Sequence, residues 1–435
     1  MKFSIRAIDF YERDVRLRMP FRFGVVTLTE APQAFVRVKI VLADKKSSEG
    51  AAAELLAPKW FDKNPALTNE DNFEQLRQSM RAARAAYLSD KPHTAYGHSR
   101  PTVGLVENYG PALIDRALLD ALCRALGISF YEAIRTNVVG LDLPPRFLES
   151  LRPREAIAAR HTVGLVDPIT GSGKLNDGLP ETLEEVIERY GHRWFKLKVG
   201  GDAKADVERL SAIAAVLDRI PEPYRASFDG NEQYEDVDGV LELWNRIKHE
   251  ARLKRLAQSV VFIEQPIKRQ KALAADISAL AREKPVIIDE SDDSLDAFPR
   301  AKALGYQGVS SKTCKGIYKS LINAARCAEW GEGYFMSGED LTVQAGLALQ
   351  QDLALVALLG LTHVERYGHH YVNGMAGLPA HEQQQFLNGH EDLYEHSHGA
   401  VRLRIKGGMI QMKSLDCPAY ASRALPEWNT MREMR

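Results

Sequence analysis

WFKLKVGGDAKADVERL, residues 194–210, opens by alternating bulky apolar side chains with lysines and then runs on at helical spacing. Side chains two apart on a strand share a face, so Lys196 and Lys198 point one way while Phe195, Leu197 and Val199 point the other. A strand with charge on one face and packing residues on the other, followed at once by a helix, is a β-then-α step.

The step recurs on either side. Short apolar runs lie at 156–163 (AIAARHTV), 194–199, 225–229 (RASFD), 260–264 (VVFIE), 285–289 (PVIID), 308–312 (GVSSK), 333–337 (GYFMS) and 362–366 (THVER), with amphipathic segments between most of them. Eight consecutive steps predict an α/β fold, a TIM (β/α)8 barrel. A doubly wound open sheet is the structural rival, but no run is followed by a GxGxxG turn. GSGK at 171–174 lacks the strand-loop-helix spacing of a phosphate loop. Upstream, the first 60 residues read as strands and turns, 70–88 as helix and 106–136 as helix with Gly127 as a stop, so an α+β unit precedes the barrel.

Catalytic groups of a barrel come from the C-terminal ends of its strands. Here those ends carry Lys196 and Lys198, then Asp229, Glu264, Asp289 followed by Glu290, and Lys312. Parity makes Asp289 rather than Glu290 the inward acid, so three carboxylates converge from three consecutive strands. They repel one another in a low-dielectric mouth unless a cation intervenes. All-oxygen ligation favours Mg2+, with Mn2+ as the alternative. A purely structural network of three acids and three lysines is the bland reading of the same residues.

The chain has 57 Lys plus Arg against 58 Asp plus Glu and a formal net charge of -1. It lacks the basic excess of a nucleic-acid or membrane-surface binder. Cys123, Cys314, Cys327 and Cys417 form no CxxC pair, against a disulfide framework and a zinc knuckle. The apolar window 341–362 is broken by Gln344, Gln350, Gln351 and Asp352 and reads as a buried helix, not a membrane span. Charges interrupt the N-terminal apolar residues, so no signal-peptide core is expected and a cytoplasmic setting is.

With FKLKVGGDAKADVERL, FDGN around Asp229 and Asn231, IEQP around Glu264, IDES around Asp289 and Glu290, and KTCKGI from Lys312, the sequence resembles the enolase superfamily. Within it the match is to the muconate lactonizing enzyme subgroup of the mandelate racemase/muconate lactonizing enzyme family. The resemblance covers nearly the whole chain. The interval of 35 residues from Asp229 to Glu264 is longer than the family usually shows and points to an insertion within 235–258. SGEDLTVQ after strand seven offers no histidine for the His-Asp dyad of the mandelate racemase subgroup, and KSLDCPAYAS departs from the usual tail.

The resemblance implies a modified (β/α)8 or (β/α)7β barrel at 146–370 holding the metal site. It also implies an α+β capping domain like the enolase N-terminal domain at 1–145, and a C-terminal segment, 371–435, that returns to it. It implies Mg2+ on Asp229, Glu264 and Asp289, with Asn231 and Glu290 in support. Lys198 and Lys312 become the acid/base pair and Lys196 an electrostatic tuner that also meets the substrate carboxylate. Positive neighbours disfavour another charge on Lys198, which suits it to act as a base.

The implied enzyme is an isomerase or lyase that removes a proton α to a substrate carboxylate through a metal-stabilised enolate. The outcome is racemisation, epimerisation, cycloisomerisation or elimination. Loops 20–27 and 53–60 are expected to choose the substrate, with Phe21, Arg22, Phe23 and His161 as candidate contacts. Two other readings remain: a Schiff-base aldolase using Lys312, and a silent binding barrel. The partners expected are a small carboxylate substrate and further copies of the chain in a homo-oligomer, with no nucleic acid and no membrane.

Overall fold

The computed structural model describes residues 1–24, 26–171 and 175–434. Ser172, Gly173 and Lys174 of the GSGK stretch, and Val25 of the 20–27 loop, lie outside the described residues.

The N-terminal unit is an antiparallel sheet of β1 (Phe3–Phe23), β2 (Val26–Leu42) and β3 (Ser47–Leu55), with β4 (Ser89–His93) on the far side of β1. Its covering helix Asn69–Tyr87 starts where Thr68 and Asp71 form a capping box, and buries Phe73, Leu76, Met80, Ala83 and Tyr87 at three- to four-residue spacing. A second helix, Leu105–Leu126, is buried on nearly every side and ends where Gly127 adopts φ 68°. It crosses β3 so closely that a Cβ on Gly50 would sit 2.2 Å from the Ala121 nitrogen. Glycine is required at that crossing.

Eight parallel strands follow: β5 (Ala156–Val163), β6 (Trp194–Lys198), β7 (Arg225–Asp229), β8 (Val260–Glu264), β9 (Val286–Ile288), β10 (Gly308–Ser311), β11 (Phe335–Gly338) and β12 (His363–Glu365). Each pairs with the next, and β12 pairs with β5 through His363–Ala158, Val364–Ala159 and Glu365–Arg160. The sheet is closed, which removes the open doubly wound alternative. The eight strands fall on the eight expected runs, the seventh shifted toward its C-terminal end.

Phe195 and Leu197 pack in the layer between strands and helices, and the lysines of β6 face the interior. The long interval before Glu264 holds helix Val237–His249 and then a further short helix, Lys254–Ser259. The 341–362 window is the buried helix Leu347–Leu358. No described helix is long and apolar enough to cross a membrane.

The C-terminal residues touch both units. After the hairpin β13 (Tyr394–Ser397) and β14 (Ala400–Leu403), β15 (Met409–Gln411) pairs antiparallel with the start of β5. Tyr420 then stacks on Phe130 at 4.1 Å, and β16 (Arg432–Glu433) adds to the edge of β1.

Candidate active site

The strand ends form a floor and a rim. On the floor, the Lys196 ammonium lies 2.9 Å from Asp229 and Glu264, 2.8 Å from Glu339 and 3.0 Å from Glu365. Lys196 is 1% exposed, so these are contacts in a dry interior. Burial works to lower its pKa, and the four carboxylates outweigh burial and hold it well above the usual lysine value. Arg160, also inside the barrel, pairs with Glu339. Glu365 accepts from the Thr162 hydroxyl at 2.6 Å.

The rim carries two separate lysines. Lys198 donates to Asp229 Oδ2 at 2.5 Å, with the Phe21 ring 6.0 Å from its nitrogen. Lys312 donates to Asp289 Oδ2 at 2.7 Å and lies 4.3 Å from the Trp60 ring centroid. Lys315 approaches the other Asp289 oxygen at 3.2 Å. Burial opposes the charge on Asp229, and Lys196 and Lys198 hold its carboxyl down at about 2. Asp289 is likewise driven well below its ordinary value, against burial, by Lys312, Lys315 and Lys196. Glu264 goes the other way: burial and the nearby Glu339 raise it despite Lys196.

The donor set fits a hard cation. Asp229 and Glu264 are register partners on adjacent strands, and Asp289 follows the next strand. The ion pairs leave buried oxygens without a hydrogen bond among the described residues: Asn231 Oδ1, Glu290 Oε2, and Glu264 Oε2, whose 2.9 Å approach to Lys196 lacks hydrogen-bond geometry. Carboxylate and amide oxygens left without a hydrogen bond in this way suit Mg2+. Asn231 and Glu290 stand beside this set, the Asn231 amide 3.3 Å from Glu290 Oε1. Lys63 of the N-terminal unit reaches over to the Asn231 carbonyl at 2.7 Å and to Glu232 at 2.6 Å. Arg269 binds the Trp60 and Phe61 carbonyls, so the segment after β3 is clamped onto the barrel.

A cavity of about 20 Å³, room for about one water, lies between lysines and aromatics. Its walls include Lys198 and Lys312 with Phe21, Phe23, Trp60 and Tyr367. Arg22 requires correction: strand alternation turns it away from Phe21 and Phe23, and its side chain is exposed outside the cavity. His161 requires correction too. Lys196 faces inward and is in register with Thr162, so His161 faces outward, among His192, His369 and His370. The Lys196 ammonium is surrounded by protein carboxylates, and Lys196 also lines the cavity.

Sequence reasoning missed Arg160, Glu339 and Glu365. Alternation, once anchored by the register of Thr162 with Lys196, places Arg160 and Thr162 inside. Glu365 lies within the eighth run, one residue before its end. Glu339 lies beyond the expected end of the seventh.

Residues 178–413, more than half of the chain, match the family described as Enolase C-terminal domain-like. An N-succinyl-L-Arg/Lys racemase of Bacillus cereus is 23% identical over 337 residues, covering 73% of this chain and 75% of that protein. A muconate lactonizing enzyme from Pseudomonas fluorescens, solved with muconolactone, has a similar fold with a TM-score of 0.64, 17% identity and 97% of each chain covered. A dipeptide epimerase from Cytophaga hutchinsonii, solved with Mg and the dipeptide D-Ala-L-Val, also gives 0.64, at 14% identity over 100% of this chain and 99% of that one. With the closed barrel, its antiparallel N-terminal sheet and the match over more than half its length, the chain belongs to the Enolase C-terminal domain-like family and is an enolase-superfamily enzyme.

Proposed function

We propose that this enzyme removes the proton α to a substrate carboxylate and returns a proton to the same carbon, racemising or epimerising it. The observation that carries this reading is one cavity lined by Lys198 and Lys312 beside Asp229, Glu264 and Asp289. Lys198 stands on β6 and Lys312 follows β10, four strands on in a ring of eight, so the two nitrogens address a substrate from opposite sides. One lysine must be neutral to take the proton while the other is charged to deliver one; exchanging roles lets both stereoisomers react. If only one lysine transfers protons, cycloisomerisation or elimination follows.

Asp229, Glu264 and Asp289 would hold Mg2+, or Mn2+ in its place, with Asn231 and Glu290 behind them. When bound, the ion supplies Lewis-acid stabilisation of negative charge on the substrate carboxylate. Asp229 and Asp289 also orient the two rim lysines through their hydrogen bonds. Lys196, fixed by four carboxylates, holds the floor acids in place. Phe21 and Trp60 keep bulk water off the lysines, and a cavity with room for about one water means that these rings must withdraw for substrate to enter. The aromatic walls favour a carboxylate with an apolar substituent near its α carbon. N-acylated amino acids and dipeptides, the classes named for two of the relatives, are the first to screen.

The test is α-proton exchange in deuterated water, read by NMR across such a library. Exchange should require Mg2+ and stop on chelation. Lys198→Ala and Lys312→Ala should each lower turnover by about 10²–10⁴-fold while still binding Mg2+. Full activity in both variants overturns the assignment, and borohydride trapping of a substrate on Lys312 would establish the aldolase instead.

A further inference from the structure

On the outer face of β5, away from the cavity, three histidines from separate parts of the chain meet. His161 comes from β5, His192 from the residues just before β6, and His369 from the short helix Gly368–Tyr371 after β12. One ring nitrogen of each lies within 4.8 Å of the other two. The ring centroids are 5.2 Å apart for His161 and His192, and 5.8 Å for either with His369.

Buried polar atoms are normally hydrogen-bonded. Here His161 Nδ1, His192 Nε2 and both His369 nitrogens are inaccessible and have no partner among the described residues. The one ring nitrogen of His192 that is engaged explains the other. Its Nδ1 lies 3.0 Å from the Ala159 carbonyl, which accepts a hydrogen bond from Nδ1–H and leaves Nε2 with a bare lone pair facing the cluster. A backbone carbonyl on the far nitrogen is the support that ligating histidines usually have. Burial lowers the pKa of all three, which favours the neutral form that binds metals.

We propose that His161, His192 and His369 bind a transition-metal cation of the Zn2+ type at the seam where the first and eighth barrel strands close. Three imidazoles suit Zn2+ and not Mg2+, so this site and the acidic mouth select different ions. Tetrahedral ligation at ~2.0–2.1 Å places ligand nitrogens roughly 3.4 Å apart, within reach of small ring rotations. The fourth position is left to water. The ion ties β5, the approach to β6 and the exit from β12 together, and its role is structural.

The measurement is Zn2+ titration of the full chain by calorimetry, with Mg2+ in large excess so that the acidic mouth does not take the zinc. The wild type should bind one Zn2+ per chain and melt at a higher temperature with it. His369→Gln and His192→Gln should each weaken that binding by more than the ~10–100-fold typical of losing an outer partner. Co2+ offers an independent readout. Three nitrogens give the intense visible bands of a tetrahedral ion, and these should persist in Glu264→Gln and vanish in His369→Gln. Absence of Zn2+ binding to the wild type, or equal affinity in the folded histidine variants, overturns the proposal. Should both variants fail to fold, the wild-type stoichiometry and Co2+ spectrum decide alone.

Discussion

Asp229 in the barrel mouth and Asp115 in the Leu105–Leu126 helix are both fully buried, yet they are driven in opposite directions. Asp229 is held at about 2 by two lysines that outweigh burial. Asp115 accepts from the hydroxyls of Tyr87 at 2.8 Å and Ser99 at 2.5 Å, and burial pushes it up to about 7 although these bonds and the Arg100 charge oppose the shift. Desolvation is common to both, so the cation next to the carboxylate decides whether it stays charged. At these two positions, then, the mouth holds a charged carboxylate beside its lysines, and the N-terminal unit holds a carboxyl that stays neutral at mild pH.

Removing the central cation should break this contrast most. Lys196→Met leaves Asp229, Glu264, Glu339 and Glu365 without the ammonium they share. Breaking a buried ion pair by deleting one partner costs about 3–5 kcal/mol. Urea unfolding of the metal-free protein should register a loss of that size, with activity lost as well. An unchanged midpoint would mean that the acids neutralise themselves as Asp115 does.

A smaller loss is expected on the rim. Lys312→Met removes the ammonium 2.7 Å from Asp289, but Lys315 remains 3.2 Å from the other oxygen. With one cation left, the cost should fall to about 1–3 kcal/mol, the range for a buried group that loses one partner. The same unfolding experiment should rank the variants in this order, and turnover should collapse in both.

The contrast also bears on what a sequence reveals. Lys196, Lys198, Asp229, Glu264, Asp289 and Lys312 were legible because they stand within or at the end of short apolar runs, and strand alternation fixes the face. Glu339 and Glu365 were not, since the last two strands are short and their acids stand past or just before the apparent ends. Arg160 was missed, and His161 was expected in the pocket, for a different reason. Every residue of β5 from Ile157 to Val163 is buried, so composition alone does not mark its inner face, and only registration against Lys196 does. The histidine cluster joins parts of the chain more than 200 residues apart, from His161 to His369, with no local pattern to announce it.

The last test sharpens the other half of the comparison. The folded-state pKa of Asp115 lies at about 7, above the ordinary 3.8, so between those values the folded chain holds a proton that the unfolded chain has released. Stability from this group is thus complete below about pH 4, declines as pH rises toward 7, and is flat beyond. The sign is opposite to that of Asp229, whose contribution is present above about pH 4 and lost as pH falls toward 2. Asp115→Asn keeps a neutral group of the same shape, with an oxygen to accept from Tyr87 and an amide to donate to Ser99. It removes the ionisation, so above pH 7 the variant should be more stable than the wild type by about 1–2 kcal/mol, a fraction of the ceiling set by the shift. Near pH 4 the advantage should disappear. Denaturant midpoints at pH 4, 6 and 8 check this, and a gain that did not grow with pH would place a cation beside Asp115 and erase the difference between the two regions.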